Sequence, residues 1–106
     1  MTKAGALRKR YIHFEVNGSE FKEEELKRGL YEQGLKFFGE YELSFVGLKL
    51  IEYRPAGRNG VLRCTRDKVE EVLGFLALIN ELNGERTRVI SKKTRAILPV
   101  HLNGRV

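Results

Sequence analysis

GVLRCTRDKVEEVLGF (residues 60–75) contains the change of period that decides the fold. In its first half Leu62 and Cys64 share one side of an extended chain, while Val61, Arg63 and Thr65 share the other. From Arg66 onward the apolar residues Val69, Val72, Leu73, Leu76 and Ile79 recur at helical spacing, and Thr65 is a suitable N-cap. The stretch therefore reads as a strand followed directly by a helix over 66–82. Cys64, the only cysteine, stands between Arg63 and Arg66, and nearby guanidinium groups can stabilise a thiolate. Neighbouring strand residues point to opposite faces, however, so Arg63 is turned away from Cys64. Sharing its side with Leu62, Cys64 is expected under the helices as a small, unreactive hydrophobe.

Upstream, LSFVGLKLIEY (43–53) reads as a strand with Val46, Leu48 and Leu50 inward, joined to 61–65 by a turn through Pro55, Gly57 and Asn59-Gly60. RYIHFEV (10–16) alternates Ile12, Phe14 and Val16 with Tyr11, His13 and Glu15, the period of a strand with one buried face. Lys22 to Phe38 has helical periodicity, and Glu23, Glu24 and Glu25 suit its first turn, where the helix dipole favours negative charge. Gly29 and Gly34 each weaken that helix by roughly 1 kcal/mol, so something is expected to pack closely against them. Downstream, Asn83-Gly84 is read as the stop of the second helix, and ERTRVIS (85–91) as the last strand, with a short helical tail through Leu98 to Pro99.

The resulting order is βαββαβ. Right-handed crossovers make the ferredoxin-like (RRM-like) α+β sandwich its commonest arrangement, with four antiparallel strands, the first and third central, and both helices on one face. The expected organisation is an N-terminal segment over 1–7, one domain over 8–98 and a tail over 99–106.

A chain of 106 residues can bury a core without disulfides. The longest apolar run, VLGFLALI (72–79), is too short for a membrane span, and MTKAGALRKRYI has no apolar core of a secretory signal, so a soluble cytoplasmic protein is expected. Lys and Arg number 20 against 14 acidic residues, with a pI of about 9.7, an excess that attracts phosphate polymers. His13 and His101 are the only histidines, and no Cys/His cluster has metal-ligand spacing. No catalytic or metal site is expected on the chain.

The cations are arranged differently. Strand alternation places Tyr11, His13, Arg63, Arg86 and Arg88 on the uncovered sheet face, together with Lys49, Ile51 and Tyr53. Arg8, Lys9 and Arg10 lie at its edge, and Lys92, Lys93 and Arg95 beyond the last strand. Cations interleaved with flat rings suit RNA, since phosphates require charge and unstacked bases a platform. On the helices, Phe75, Leu78 and Leu82 form a second apolar stripe beside the core one, and Tyr31, Leu35 and Phe38 do the same on the first helix. Two such stripes suggest a protein partner.

RKRYIHFEV (8–16), LKFFGE (35–40), VGLKLIEY (46–53), GVLRCTRDKVEEV (60–72) and LALINELNGERTRVI (76–90) together resemble the Pop5/Rpp14 family of archaeal ribonuclease P proteins. The resemblance implies an RRM-like subunit that accompanies a catalytic RNA in removing the 5′ leader of precursor tRNA. It also implies that the RNA, with its bound Mg²⁺, performs the cleavage. This chain would hold no cofactor, would pair with a barrel-fold subunit of the enzyme, and could join a heterotetramer through self-association. By position, Arg8, Arg10, Tyr11, Arg63 and Arg66 match the family's basic and aromatic pattern. Two other classes share the element order. An acylphosphatase-like hydrolase would need an anion-binding loop after the first strand, for which Asn17-Gly18-Ser19 is a poor candidate. The other is a ligand-binding regulatory dimer.

Overall fold

Strand β1 (Lys9–Gly18) forms where the alternation places it, with Ile12, Phe14 and Val16 buried on one side. The computed structural model describes residues 8–97; the segment 1–7, Leu98 and the expected tail over 99–106 lie outside the described residues. After β1 come helix α1 (Glu23–Val46), strands β2 (Lys49–Arg54) and β3 (Asn59–Thr65), and a single 3₁₀ turn (Arg66–Lys68). Helix α2 (Val69–Leu78) and strands β4 (Glu81–Leu82) and β5 (Glu85–Arg95) follow among the described residues. The sheet is antiparallel in the order β2-β3-β1-β5-β4, with β1 and β3 near the middle. This is α+β architecture, with five strands where four were expected.

The glutamates of the α1 start have particular tasks. The Glu25 carboxylate accepts the Lys22 N–H at 2.9 Å, satisfying a donor of the helix entry, and Glu23 accepts the Tyr53 N–H of β2 at 3.3 Å. Gly29 is explained by close approach: a Cβ there would lie 3.2 Å from both Leu82 and Asn83, and the Asn83 amide donates to the Glu25 carbonyl at 2.9 Å. α1 runs eight residues further than expected, broken at Gly39, whose φ of 84° and ψ of 160° suit only glycine. The break redirects the last turns so that Leu43 and Val46 reach the core. Residues 43–46, expected as strand, are therefore helix.

Three further expectations are corrected. A bulge in β2 between Leu50 and Glu52 turns Tyr53 inward, where its ring stacks on Phe14 at 6.3 Å; it does not belong to the open face. α2 ends at Leu78, four residues early. Asn83 (φ 54°) and Gly84 (φ 79°) form the two-residue turn of a β4–β5 hairpin instead of a helix stop, since positive φ at both positions is what such a turn requires. Finally, β5 continues through Lys92, Lys93 and Arg95, where the sequence suggested a helical tail.

The connection between β1 and α1 is pinned by Arg58, in the β2–β3 turn. Its guanidinium donates to the carbonyls of Val16 at 3.1 Å, Gly18 and Ser19 at 3.2 Å, and it pairs with Glu20 at 3.5 Å.

Candidate nucleic-acid interface

Charge separates between the two layers. The helices carry eight carboxylates against Lys27, Arg28 and Lys36, whereas the five strands carry ten Lys and Arg against Glu15, Glu52, Glu81 and Glu85. The uncovered face of the sheet is built by register. Tyr11 lies opposite Arg63 on β3 and Arg95 on β5, and His13 lies opposite Val61 and Lys93. Arg63 lies in turn opposite Lys49 on β2, so a ring and three cations share one row. Cross-strand partners share a face, so these groups project together.

A shallow trough of about 390 Å³ follows, lined by His13, Glu15, Glu52, Arg54, Asn59, Lys92, Lys93 and Arg95 among others. Its two carboxylates are already matched: Glu52 pairs with Arg54, and Glu15 with Lys92 at 3.5 Å. Among the described residues, no carboxylate comes within 4.0 Å of Lys49, Arg63, Lys93 or Arg95. The Arg63 Nε is buried without a hydrogen-bond partner, a donor whose desolvation is uncompensated until an acceptor arrives. The surface can therefore attract an anionic polymer and donate hydrogen bonds to it.

The other expected contacts are distributed as follows. Arg86 and Arg88 border a second recess, with Asn80, Glu81 and Gly84, towards the β4–β5 turn. Arg88 and Arg95 are separated by about 23 Å of strand. Arg8 and Arg66 are brought together because the Arg66 N–H donates to the Arg8 carbonyl at 3.1 Å. Lys9 shares a register position with Thr65. Arg10 lies opposite buried Cys64, on the side of the sheet that faces the helices, and donates to the Lys9 carbonyl at 2.9 Å. Sequence reading misses Arg54, because only the β2 bulge shows which way residues after Leu50 point. It also misses Tyr41 and Phe45, although their spacing of four is helical, because the expected first helix stops at Phe38.

The expected partner stripes are corrected. Phe75 is 2% exposed and Leu82 fully buried, so both belong to the core. Phe75 packs against Phe37 and Phe38 with ring centroids 5.5 Å away in each case, and Leu35 and Phe38 are half-buried against the same core. The buried arc of α2 is Val72, Phe75 and Leu76, with Ile79 buried just past its end, while Leu82 has left the helix altogether. Tyr31 and Leu78 remain exposed.

Cys64 is buried beside Leu62, and burial pushes its thiol up to about 11, with the Lys9 ammonium opposing that rise. Such a thiol is a poor nucleophile at neutral pH. Among the described residues no group of three His, Cys, Asp or Glu side chains is placed to hold a metal, and no helix is long and apolar enough to cross a membrane.

The profile of the Rpp14/Pop5 family matches residues 10–98. Ribonuclease P protein component 2 of Pyrococcus horikoshii is 35% identical over 78 residues, covering 73% of this chain and 65% of that protein. The protein of the same name from Archaeoglobus fulgidus is 35% identical over 80 residues, covering 74% of this chain and 71% of its own length. The chain thus spans just under two-thirds of the Pyrococcus relative. A chain in the cryo-EM structure of yeast Ribonuclease MRP superposes with a TM-score of 0.64, covering 88% of this chain and 79% of that one. At 10% identity, that likeness concerns the fold.

Proposed function

The chain belongs to the Rpp14/Pop5 family, and on that premise we propose that it is a non-catalytic protein subunit of ribonuclease P. In this reading it binds and supports the catalytic RNA during removal of the 5′ leader from precursor tRNA. The observation that carries the reading is the segregation of charge: carboxylates on the helices, cations and the Tyr11 ring on the open sheet. The four long strands, in the order β2-β3-β1-β5, then correspond to the ferredoxin-like core, with β4 added at its edge. The chemistry and the Mg²⁺ belong to the RNA. The barrel-fold subunit of the enzyme, and any heterotetramer, would be met on the helix side, where Tyr31 and Leu78 are uncovered. The cytoplasm is the compartment this function implies.

The mechanism is electrostatic. Each cation that neutralises a phosphate releases condensed counterions, so affinity falls with salt in proportion to the number of contacts. Arg63→Ala removes a charge from the centre of the face and, being a half-buried strand position, should leave the fold intact. We expect weaker binding of RNase P RNA and a salt slope flatter by about one unit. Binding unchanged by this substitution and insensitive to salt between about 50 and 200 mM would exclude the charged face as the RNA contact. The acylphosphatase-like alternative gains no support: Arg58 holds the loop after β1 by its carbonyl oxygens, whereas an anion cradle requires converging N–H groups.

A further inference from the structure

The end of α1 beyond Gly39 carries two aromatic rings that the core does not use. Tyr41 is 78% exposed and Phe45 53% exposed, and their rings meet edge to face with centroids 5.0 Å apart. An amphipathic helix packed on a sheet ordinarily turns such residues inward. Here the buried positions are taken by Leu43 and Val46, and the Gly39 break sets which side of the last turns faces out. The backbone of this turn is tied twice: the Thr65 hydroxyl donates to the Phe45 carbonyl at 3.5 Å, and within the helix the Ser44 hydroxyl donates to the Tyr41 carbonyl at 2.6 Å.

Cations adjoin this end of α1. The Lys9 ammonium lies 3.8 Å from where a Cβ on Gly47, the α1 cap, would stand. Arg66 follows Thr65 and is tied through its backbone to Arg8. Among the described residues no carboxylate lies within 4.0 Å of Arg8, Lys9 or Arg66. Of the nearby carboxylates, Glu42 is matched by Lys68 at 2.8 Å, while Glu40 and Asp67 are in no ion pair among the described residues. Lys9 and Thr65 are paired two residues along the strands from the Tyr11–Arg63 pair, so the patch adjoins the row through Tyr11, Arg63 and Lys49.

We propose that Tyr41 and Phe45 form a stacking platform for an unpaired base of the RNA, whose flanking phosphates are held by Arg8, Lys9 and Arg66. The inference rests on the RNA-binding reading above and extends the contact surface from the sheet around its edge onto α1. Rings offer a π-face that every base can use, and the cations beside them favour a polyanion over an apolar protein surface. An edge-to-face pair also leaves the face of one ring open to a base.

The test is the double variant Tyr41→Ala/Phe45→Ala, with Tyr41→Trp as the conservative counterpart, assayed with transcribed RNase P RNA and with a short oligouridylate. Both side chains are solvent-facing, so the thermal midpoint should be unchanged. Affinity for both RNAs should fall roughly tenfold, with the salt slope preserved because stacking releases no counterions. The tryptophan variant should bind like the parent, and ultraviolet crosslinking of the parent should place adducts within residues 41–45. Unaltered RNA affinity of the double variant, with Arg63→Ala still weakening binding, overturns the platform and leaves the sheet interface standing. Loss of copurification with the barrel-fold subunit at unaltered RNA affinity also overturns it, in favour of a protein contact. A parent protein that binds neither RNA in a salt-dependent way overturns the functional reading itself.

Discussion

Cys64 shows how a single position can mislead when read along the chain. Its neighbours Arg63 and Arg66 suggest an activated thiolate, yet strand geometry sends Arg63 to the opposite face, and burial raises the thiol to about 11. The folded pKa lies above that of the unfolded chain, which is near 9. Folding therefore gains from the neutral thiol at pH values below about 9, and the gain disappears as pH rises through 11. The urea midpoint should accordingly decline between about pH 9 and 11, and Cys64→Ala should reduce the decline. Iodoacetamide should modify the native thiol slowly at neutral pH and readily once urea unfolds the chain; fast native labelling would show that the side chain is accessible. Alternation alone places the neighbouring Arg63 correctly, although nothing in the sequence shows that its Nε is left without an acceptor.

At the scale of elements, two glycines in helices have opposite roles. Gly39 adopts a conformation closed to side-chain-bearing residues, so Gly39→Ala should cost about 1–3 kcal/mol. Gly74 lies in α2 with nothing within 4 Å of where an added methyl would stand, so Gly74→Ala should stabilise by about 0.4–1 kcal/mol. Urea titration of both variants checks the pair, and equal effects would refute the assignment of the break to Gly39. Element boundaries are legible wherever period alone decides, as in β1, β3 and the start of α1. They fail at 43–48 and 79–84, where short apolar runs fit either state. At the second site the signal is present: Asn83-Gly84 is the dipeptide favoured in two-residue hairpin turns, but after a helical stripe it also fits a helix stop.

At the scale of the molecule, what is available to a partner depends on which apolar residues the core has already taken. Phe75→Ala should cost about 3–5 kcal/mol, as expected for a buried aromatic. Leu78, 68% exposed, can be replaced by Asp with a stability change within about 0.5 kcal/mol. If the chain pairs with a barrel-fold subunit through its helix side, as proposed above, Leu78→Asp should nevertheless abolish copurification with that subunit; retained complex would place that contact elsewhere. The charge separation between layers is likewise a property of the whole molecule. It follows from where helices and strands fall, and each layer presents its own sign to a large partner.

Period and residue identity suffice to specify the element types of the central strands and both helices, the burial of Cys64, and the concentration of cations on the strands. Both are local. That Tyr53, Phe75 and Leu82 are core and Tyr41 and Phe45 are not follows from how the folded chain packs. The direction of a side chain after a bulge, a helix break or an early helix end is set by packing against residues distant in sequence, and a single displaced position reverses which face it joins.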